Sequence, residues 1–290
     1  MLLVLRTRAM TFLPFYVAEE KGFFREQGVE VSCIHSHEDK QRMVQLVLEG
    51  DVAFYATISA AVESVLRGWG EMRALCATSL SRYPCAARSE IKSLADLKGK
   101  KVMVGGGRSM GEVLWLCHRY GWEPGKDIEI VSGESSDRAQ AFNDPSYSAV
   151  FGRPQYLFWL KKGGFHLLAY PEPERAWPEG GLVTSLRLIK EEPGAVQKVV
   201  NAVILATEYL KNHRDEAIAV ALDKVPYLNR EAAEGNYDTL REWYSYEVSG
   251  AAIAHQAEVL GVAKKQFRPM KLDDVAELSF LKRALGDMTS

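Results

Sequence analysis

Apolar positions in this chain come in two rhythms that alternate. Short runs rich in Val, Leu and aromatic residues are followed by longer stretches whose apolar residues recur every three or four positions. The first 80 residues show this most clearly. A strand is predicted at Leu2–Arg6, and the loop RAMTFLP then delivers Pro14 near a helix start, where its missing N–H costs little. FYVAEEKG ends at Gly22, a C-cap candidate, and the strand-like run VEVSCIHS follows FFREQG. In DKQRMVQLVLEG, the residues Met43, Val44, Leu46 and Val47 form one apolar stripe that stops at Gly50. The strand DVAFYAT, a helix SAAVESVLRG capped by Ser59 and stopped by Gly68, and the strand MRALCATS complete the series. Such β/α alternation predicts a parallel sheet covered by helices.

A second series begins at KSLADLKGKKVMVGGG, where Ser93 caps a short turn and Gly99 ends it. The strand KVMVG enters a glycine loop, and the helix GEVLWLCHRYG leaves it. EIVSG, a helix from Ser136 through Phe142, YSAVFG, a helix RPQYLFWLKKGG and the strand FHLLAY follow. From Glu192 onward the pattern is helical, as in Val196, Val199, Val200, Val203 and Leu210 at helical spacing. No repeat period and no low-complexity segment interrupts the chain.

Composition adds exclusions. The 290 residues, 47% of them hydrophobic, suit two domains or one large α/β unit with a sizeable core. A net charge of −2 points to no nucleic-acid partner. MLLVLRTRAM is apolar over only five positions, too few for a secretory h-region, and no run approaches a membrane-spanning length. The four cysteines, Cys33, Cys76, Cys85 and Cys117, have no C-x-x-C spacing, and no histidine lies at a zinc-partner spacing. Buried thiols are the expectation, with a Cys76–Cys85 disulfide as the weaker alternative.

The glycine loop, Gly105-Gly106-Gly107-Arg108-Ser109-Met110-Gly111, holds the most chemistry. It misses G-x-G-x-x-G by one residue and closes on G-E where a P-loop requires G-K-[ST]. It also opens the second β/α series, whereas a dinucleotide fingerprint opens the first. Neither nucleotide reading is favoured, and no cofactor is expected. A glycine turn before a helix still offers free N–H groups, here beside the Arg108 guanidinium and the Ser109 hydroxyl. A small carboxylate, sulfonate or phosphate would suit it; a plain tight turn with Arg108 in solvent remains the alternative.

Four stretches carry a family resemblance: FLPFYVAEEKGFFREQGVEV at 12–31, LVLEGDVAFYATISAAVESVLRGW at 46–69, IKSLADLKGKKVMVGGGRSMGEVLWLCHRYGWEPGKDIEIV at 91–131 and DDVAELSFLKRA at 273–284. In this order the chain resembles the nitrate/sulfonate/taurine and thiamine-precursor binding proteins of ABC transporters, the NMT1/THI5-like and SsuA-like group. The resemblance implies a periplasmic-binding-protein-like type II α/β fold. One lobe would hold residues 1–85 completed by 186–290, and the other 86–185. A small molecule would be clamped in a cleft between them, handed on to an ABC permease, by a monomer.

In that architecture strand C-terminal ends face the ligand. The site candidates are then Thr11, Phe12, His37, Thr57, Ser59, Arg82, Tyr83, Arg108, Ser109 and Arg153. Phe12 and Tyr83 would sandwich a planar group, Thr57 and Ser59 would donate hydroxyls, and the arginines would attract an acid. Arg153 departs from the family pattern, which commonly places an acidic residue before this proline. The ligand class expected is an organic sulfonate, carboxylate or pyrimidine-like heterocycle. Trp177, between prolines, is a candidate for the cleft rim.

The alternative is an enzyme or cytoplasmic sensor on the same fold. A related pyrimidine synthase consumes its own histidine and carries a C-C-C-F-C cluster; here the histidine position falls near Ser59–Ala60 and the cluster is missing. A metal-assisted aromatic-acid decarboxylase would need more than the His35, His37, Glu38, Asp39 concentration supplies, so no metal and no catalytic residue is assigned. The family implies a periplasmic or extracellular protein; the N-terminal residues leave a cytoplasmic one open.

Overall fold

The computed structural model describes residues 1–152, 164–262 and 268–289. The chain divides into two compact units, one of Met1–Leu80, Pro178–Ile253 and Met270–Ser290, the other of Ser81–Trp177 and Ala254–Pro269.

The first unit is built on a sheet of order β2-β1-β3-β10-β4. Its strands are β1 (Leu2–Leu5), β2 (Ser32–His35), β3 (Phe54–Tyr55), β4 (Met72–Ser81) and β10 (Trp177–Ser185). β1 pairs in parallel with β2 and β3, and β10 returns antiparallel to β3. Leu3, Val4 and Leu5 are buried on both sheet faces, which a parallel strand covered by helices requires. The covering helices begin with α1 (Leu13–Glu20), α2 (Phe23–Glu26), α3 (Lys40–Glu49) and α4 (Ile58–Arg67). Pro14 sits in the first turn of α1, and Gly50 and Gly68 end α3 and α4 with φ of 92° and 65°, the left-handed closure that favours glycine.

The second unit carries a sheet of order β7-β6-β8-β5-β9. These are β5 (Cys85–Arg88), β6 (Lys101–Val104), β7 (Glu129–Ser132), β8 (Ala149–Phe151) and β9 (Phe165–Leu168). β6 runs parallel to β7 and β8, and β5 runs antiparallel to β8 and β9. Its core packs Trp115, Leu116 and Val113 of α5 (Arg108–Tyr120) against Val102, Val104, Phe151 and Leu168. The helix α6 (Ser135–Ala141) follows β7.

The C-terminal part is helical: α7 (Leu186–Glu191), α8 (Pro193–Asn212), α9 (Arg214–Lys224), α10 (Arg230–Leu240), α11 (Gly250–Val262), α12 (Leu272–Val275) and α13 (Ser279–Thr289). The apolar stripe Val196, Val199, Val200, Val203 and Leu210 is fully buried on α8, which packs against α1. Residues 250–253 of α11 belong to the first unit and the remainder to the second.

Several local expectations need correction. Thr57, not Ser59, stands at the N-cap of α4, because helical geometry begins at Ile58 and Ser59 already lies in the first turn. His37 falls outside β2, in the loop that follows His35, so the two histidines do not share a strand face. The Cys76–Cys85 disulfide offered as an alternative does not form; all four cysteines are free thiols, as the first reading expects. Trp177 is 4% exposed and packed inside the second unit. The helix expected at RPQYLFWLKKGG lies almost wholly outside the described residues. β5 and β10 carry little hydrophobic pattern of their own: one is a four-residue run, the other is interrupted by Pro178, Gly180 and Gly181.

Candidate functional site

Because β1, β2 and β3 are parallel, the segments that leave their C-terminal ends gather on one edge of the first sheet. They are the Met10–Phe12 turn, the start of α3 and the start of α4. Thr11 and Phe12 are buried there: the Thr11 carbonyl accepts from the Ser79 hydroxyl at 3.4 Å, and the Phe12 ring centroid lies 6.5 Å from that of Phe15. His37 is exposed in the loop before α3, where the Asp39 carboxylate caps the helix by accepting from the Arg42 N–H at 2.9 Å.

Thr57 and Ser59 lie together, their hydroxyl oxygens 3.2 Å apart. A residue absent from the sequence-based candidates joins them: the Lys40 ammonium donates to the Ser59 Oγ at 3.0 Å. Lys40 is held from behind by Glu63 of α4, whose other oxygen pairs with Arg67 at 3.2 Å. Glu63 is 6% exposed, so its carboxylate is stabilised by these two cations rather than by water. The three groups sum to one positive charge beside two hydroxyls.

On the second sheet β6, β7 and β8 are mutually parallel, and their C-terminal ends lead into Gly105–Gly107, into Gly133 and α6, and into Gly152. Gly107, with φ of 62°, is the N-cap of α5 and supplies no side-chain cap, so the first N–H groups of that helix lack a capping side chain. Arg138 of α6, likewise absent from the sequence-based candidates, lies over this loop. A Cβ on Gly105 would stand 1.9 Å from the Arg138 Nη1, and the Ser109 Oγ is 3.5 Å from the same point. Arg138 donates to the Gly133 carbonyl at 3.3 Å. Gly105 is thus the gap through which a guanidinium approaches the helix start. The missed signal was positional: the rule that selects residues just past a strand end, applied to β7, leads to this helix.

Arg108 takes another course. Its guanidinium turns along α5, away from the helix start. There Nε donates to Glu112 at 3.1 Å, Nη2 donates to the Tyr170 hydroxyl at 3.3 Å, and the plane lies 4.4 Å from the Trp177 ring centroid. The Tyr170 hydroxyl also donates to Glu112. Burial, and then the Glu112 charge, push the Tyr170 phenol well above its ordinary range, so it stays a donor. His255 sits behind them, fully buried, with Nε2 3.8 Å from Glu112 and both ring nitrogens without a hydrogen bond. The Trp115 and Tyr170 rings meet it edge-on at 4.7 Å and the Trp177 ring at 6.1 Å. Burial first, then Arg175, Arg108 and Arg119, push its pKa down to about 3, so it is neutral at pH 7.

Of the remaining candidates, Arg82 is exposed, its carbonyl accepting from the Tyr170 N–H at 2.9 Å, and Tyr83 is half-buried. Arg153 lies outside the described residues. Among the described residues no three His, Cys, Asp or Glu side chains gather as a metal site. Burial pushes the Cys76 thiol up to about 12 and the Cys85 thiol well above its usual range, so neither is held as a thiolate.

Comparison with known proteins agrees with this architecture. A Bacillus subtilis (strain 168) protein provisionally named as aliphatic sulfonates-binding is 26% identical over 299 residues, covering 96% of this chain and 86% of that one. The SsuA aliphatic sulphonate binding protein of Escherichia coli superposes with a TM-score of 0.76 at 13% identity, over 95% of this chain and 96% of that one. The desulfurization enzyme DSZB superposes at 0.69 with 18% identity, over 99% of each chain, so the fold houses both binding and catalysis. A family model described as NMT1/THI5 like matches residues 9–217, well over half of the 290 residues. The chain belongs to the NMT1/THI5 like family.

Proposed function

We propose that this protein is a solute-binding protein for a small organic anion, a sulfonate or a carboxylate, serving an ABC importer from outside the cytoplasm. The observation that carries the reading is the start of α5: a helix N-terminus without a side-chain cap, beside the Ser109 hydroxyl and the Arg138 guanidinium. N–H groups at a helix start, a hydroxyl and a guanidinium together match the tetrahedral or planar oxygens of such an acid. At the strand-end edge of the first sheet Thr57 offers a hydroxyl, with Ser59 and then Lys40 bonded in line behind it. The sulfonate-binding relatives support the ligand class, and a structural neighbour from Methylobacillus flagellatus whose name places it in a sulfonate ABC transporter supports a permease partner. The thiols held protonated at Cys76 and Cys85 argue against a thiolate nucleophile there.

Thermal unfolding with a panel of alkanesulfonates, carboxylates and aminopyrimidines tests this. A ligand at a hundred times its Kd should stabilise the fold by about 2.7 kcal/mol. A rise in Tm with sulfonates or carboxylates is expected. No rise with any member would overturn the reading.

A further inference from the structure

Three hydrogen-bonding groups in the first unit bias one another's polarity. An ammonium has three donors and no acceptor, and a hydroxyl has one hydrogen and two lone pairs. At 3.0 Å the Lys40 Nζ must therefore donate, and the Ser59 Oγ must accept. Distance alone lets either oxygen of the Ser59–Thr57 pair donate, but a hydroxyl whose oxygen accepts from an ammonium is the better donor, which favours the Ser59 hydrogen going to Thr57 Oγ1 at 3.2 Å. In that arrangement the Thr57 hydrogen is not used by Ser59 and can point outward. Ser59 is 7% exposed and Thr57 half-exposed, so the chain of bonds runs from a shielded charge to an accessible donor.

We infer that Lys40 acts through Ser59 to lock Thr57 as a hydrogen-bond donor, making Lys40 a specificity-determining residue for anionic oxygens. The inference rests on the proposed ligand class. Left alone, a threonine hydroxyl rotates and serves donors and acceptors alike. With a charge-assisted bond feeding it, the hydroxyl is committed and polarised, because successive bonds in a chain strengthen one another. Glu63 completes the device by holding Lys40 against Ser59 while Arg67 satisfies the second carboxylate oxygen. Lys40 touches no ligand in this scheme; it positions a proton two residues away.

Titration calorimetry with butanesulfonate and with uncharged butanesulfonamide distinguishes the roles. Lys40→Met and Ser59→Ala should each weaken butanesulfonate by about tenfold, the value of one charge-assisted hydrogen bond. Butanesulfonamide, which can also donate, should change less. In a Thr57→Val background neither change should add further loss, because the chain then lacks its end. Ser59→Ala leaves the Lys40–Glu63 pair intact, so it answers the question even if Lys40→Met unfolds. Butanesulfonate binding that survives both changes, or losses that add to Thr57→Val, would overturn the inference alone. A wild-type protein that binds no sulfonate or carboxylate would overturn the ligand reading beneath it.

Discussion

Each unit buries one glutamate on the helix that follows a strand, Glu63 in α4 and Glu112 in α5, and each uses it to hold a cation. The two are spent differently. Glu63 draws in Lys40 from another helix, and the remaining reach of Lys40 goes to a hydroxyl at the strand-end edge. Glu112 takes Arg108 from its own helix four residues earlier, and the remaining reach of Arg108 goes to Tyr170 and Trp177 in the core. A buried carboxylate thus directs a charge toward the accessible edge in one unit and anchors a helix start in the other. The arginine over the glycine loop is instead Arg138.

The largest expected effect separates these two roles by stability. Glu112→Ala strands Arg108, 17% exposed, and removes the acceptor of a buried phenol. Removing one partner of a buried pair typically costs about 3 kcal/mol or more. Glu63→Ala releases Lys40 and Arg67 but deprives no buried phenol of its acceptor, so its cost should be smaller, about 1 kcal/mol. Urea unfolding of both variants measures the pair. Equal losses would erase the distinction between an anchor and a positioning group.

A second contrast is in acid. His255 has a folded pKa pushed down to about 3 by burial and three arginines, against an ordinary value near 6.5. Between those values the unfolded chain binds more protons, so stability is complete above pH 6.5 and falls as pH drops toward 3. At pH 5 this group should cost about 2 kcal/mol relative to neutral pH. The groups facing it are Glu112, Tyr170, Trp115 and Trp177, with Arg108, Arg119 and Arg175 around them. His35 in the first unit shifts in the same direction through burial, Arg8 and His37, but it is partly exposed and should contribute less. His255→Phe should flatten the stability profile between pH 7 and 5, whereas His35→Phe should change it less. An unchanged slope in the first variant would mean that His255 takes up its proton in the folded protein as readily as in the unfolded chain.

These contrasts also show what a sequence makes legible. β/α alternation was readable because parallel strands buried on both faces are apolar throughout, as at Leu3–Leu5, and because glycines such as Gly50 and Gly68 close helices in a conformation other residues avoid. The α/β fold and the family were legible for the same reason. The partners of each charge were not. Lys40 reads as one more polar residue after a helix cap, and only tertiary packing brings it to Ser59, 19 residues later. Arg108 reads as a cation for a ligand's acid group beside the glycines, or else as a solvent-facing one, yet a glutamate at i+4 and a tyrosine 62 residues on turn it inward. Spacing along a helix could have suggested Glu112; nothing local could have suggested Tyr170, Trp177 or His255.

The smallest effect is the most diagnostic for the glycine loop. A methyl on Gly105 would overlap the Arg138 Nη1 at 1.9 Å, but that atom ends a flexible side chain and can swing aside without moving backbone. Gly105→Ala should therefore leave Tm near the wild-type value while displacing the guanidinium from the start of α5. Losing one charge-assisted contact should weaken butanesulfonate by about tenfold. The neighbouring Gly106→Ala is the control, since nothing lies within 4 Å of its added methyl and its φ is not among the positive ones. It should bind as the wild type does. If Gly105→Ala also binds normally, Arg138 is not an anion-holding cation, and the second sheet edge contributes only helix N–H groups and Ser109. Equal weakening by both changes would instead trace the effect to the stiffness of the loop, because only one of the two methyls reaches the arginine.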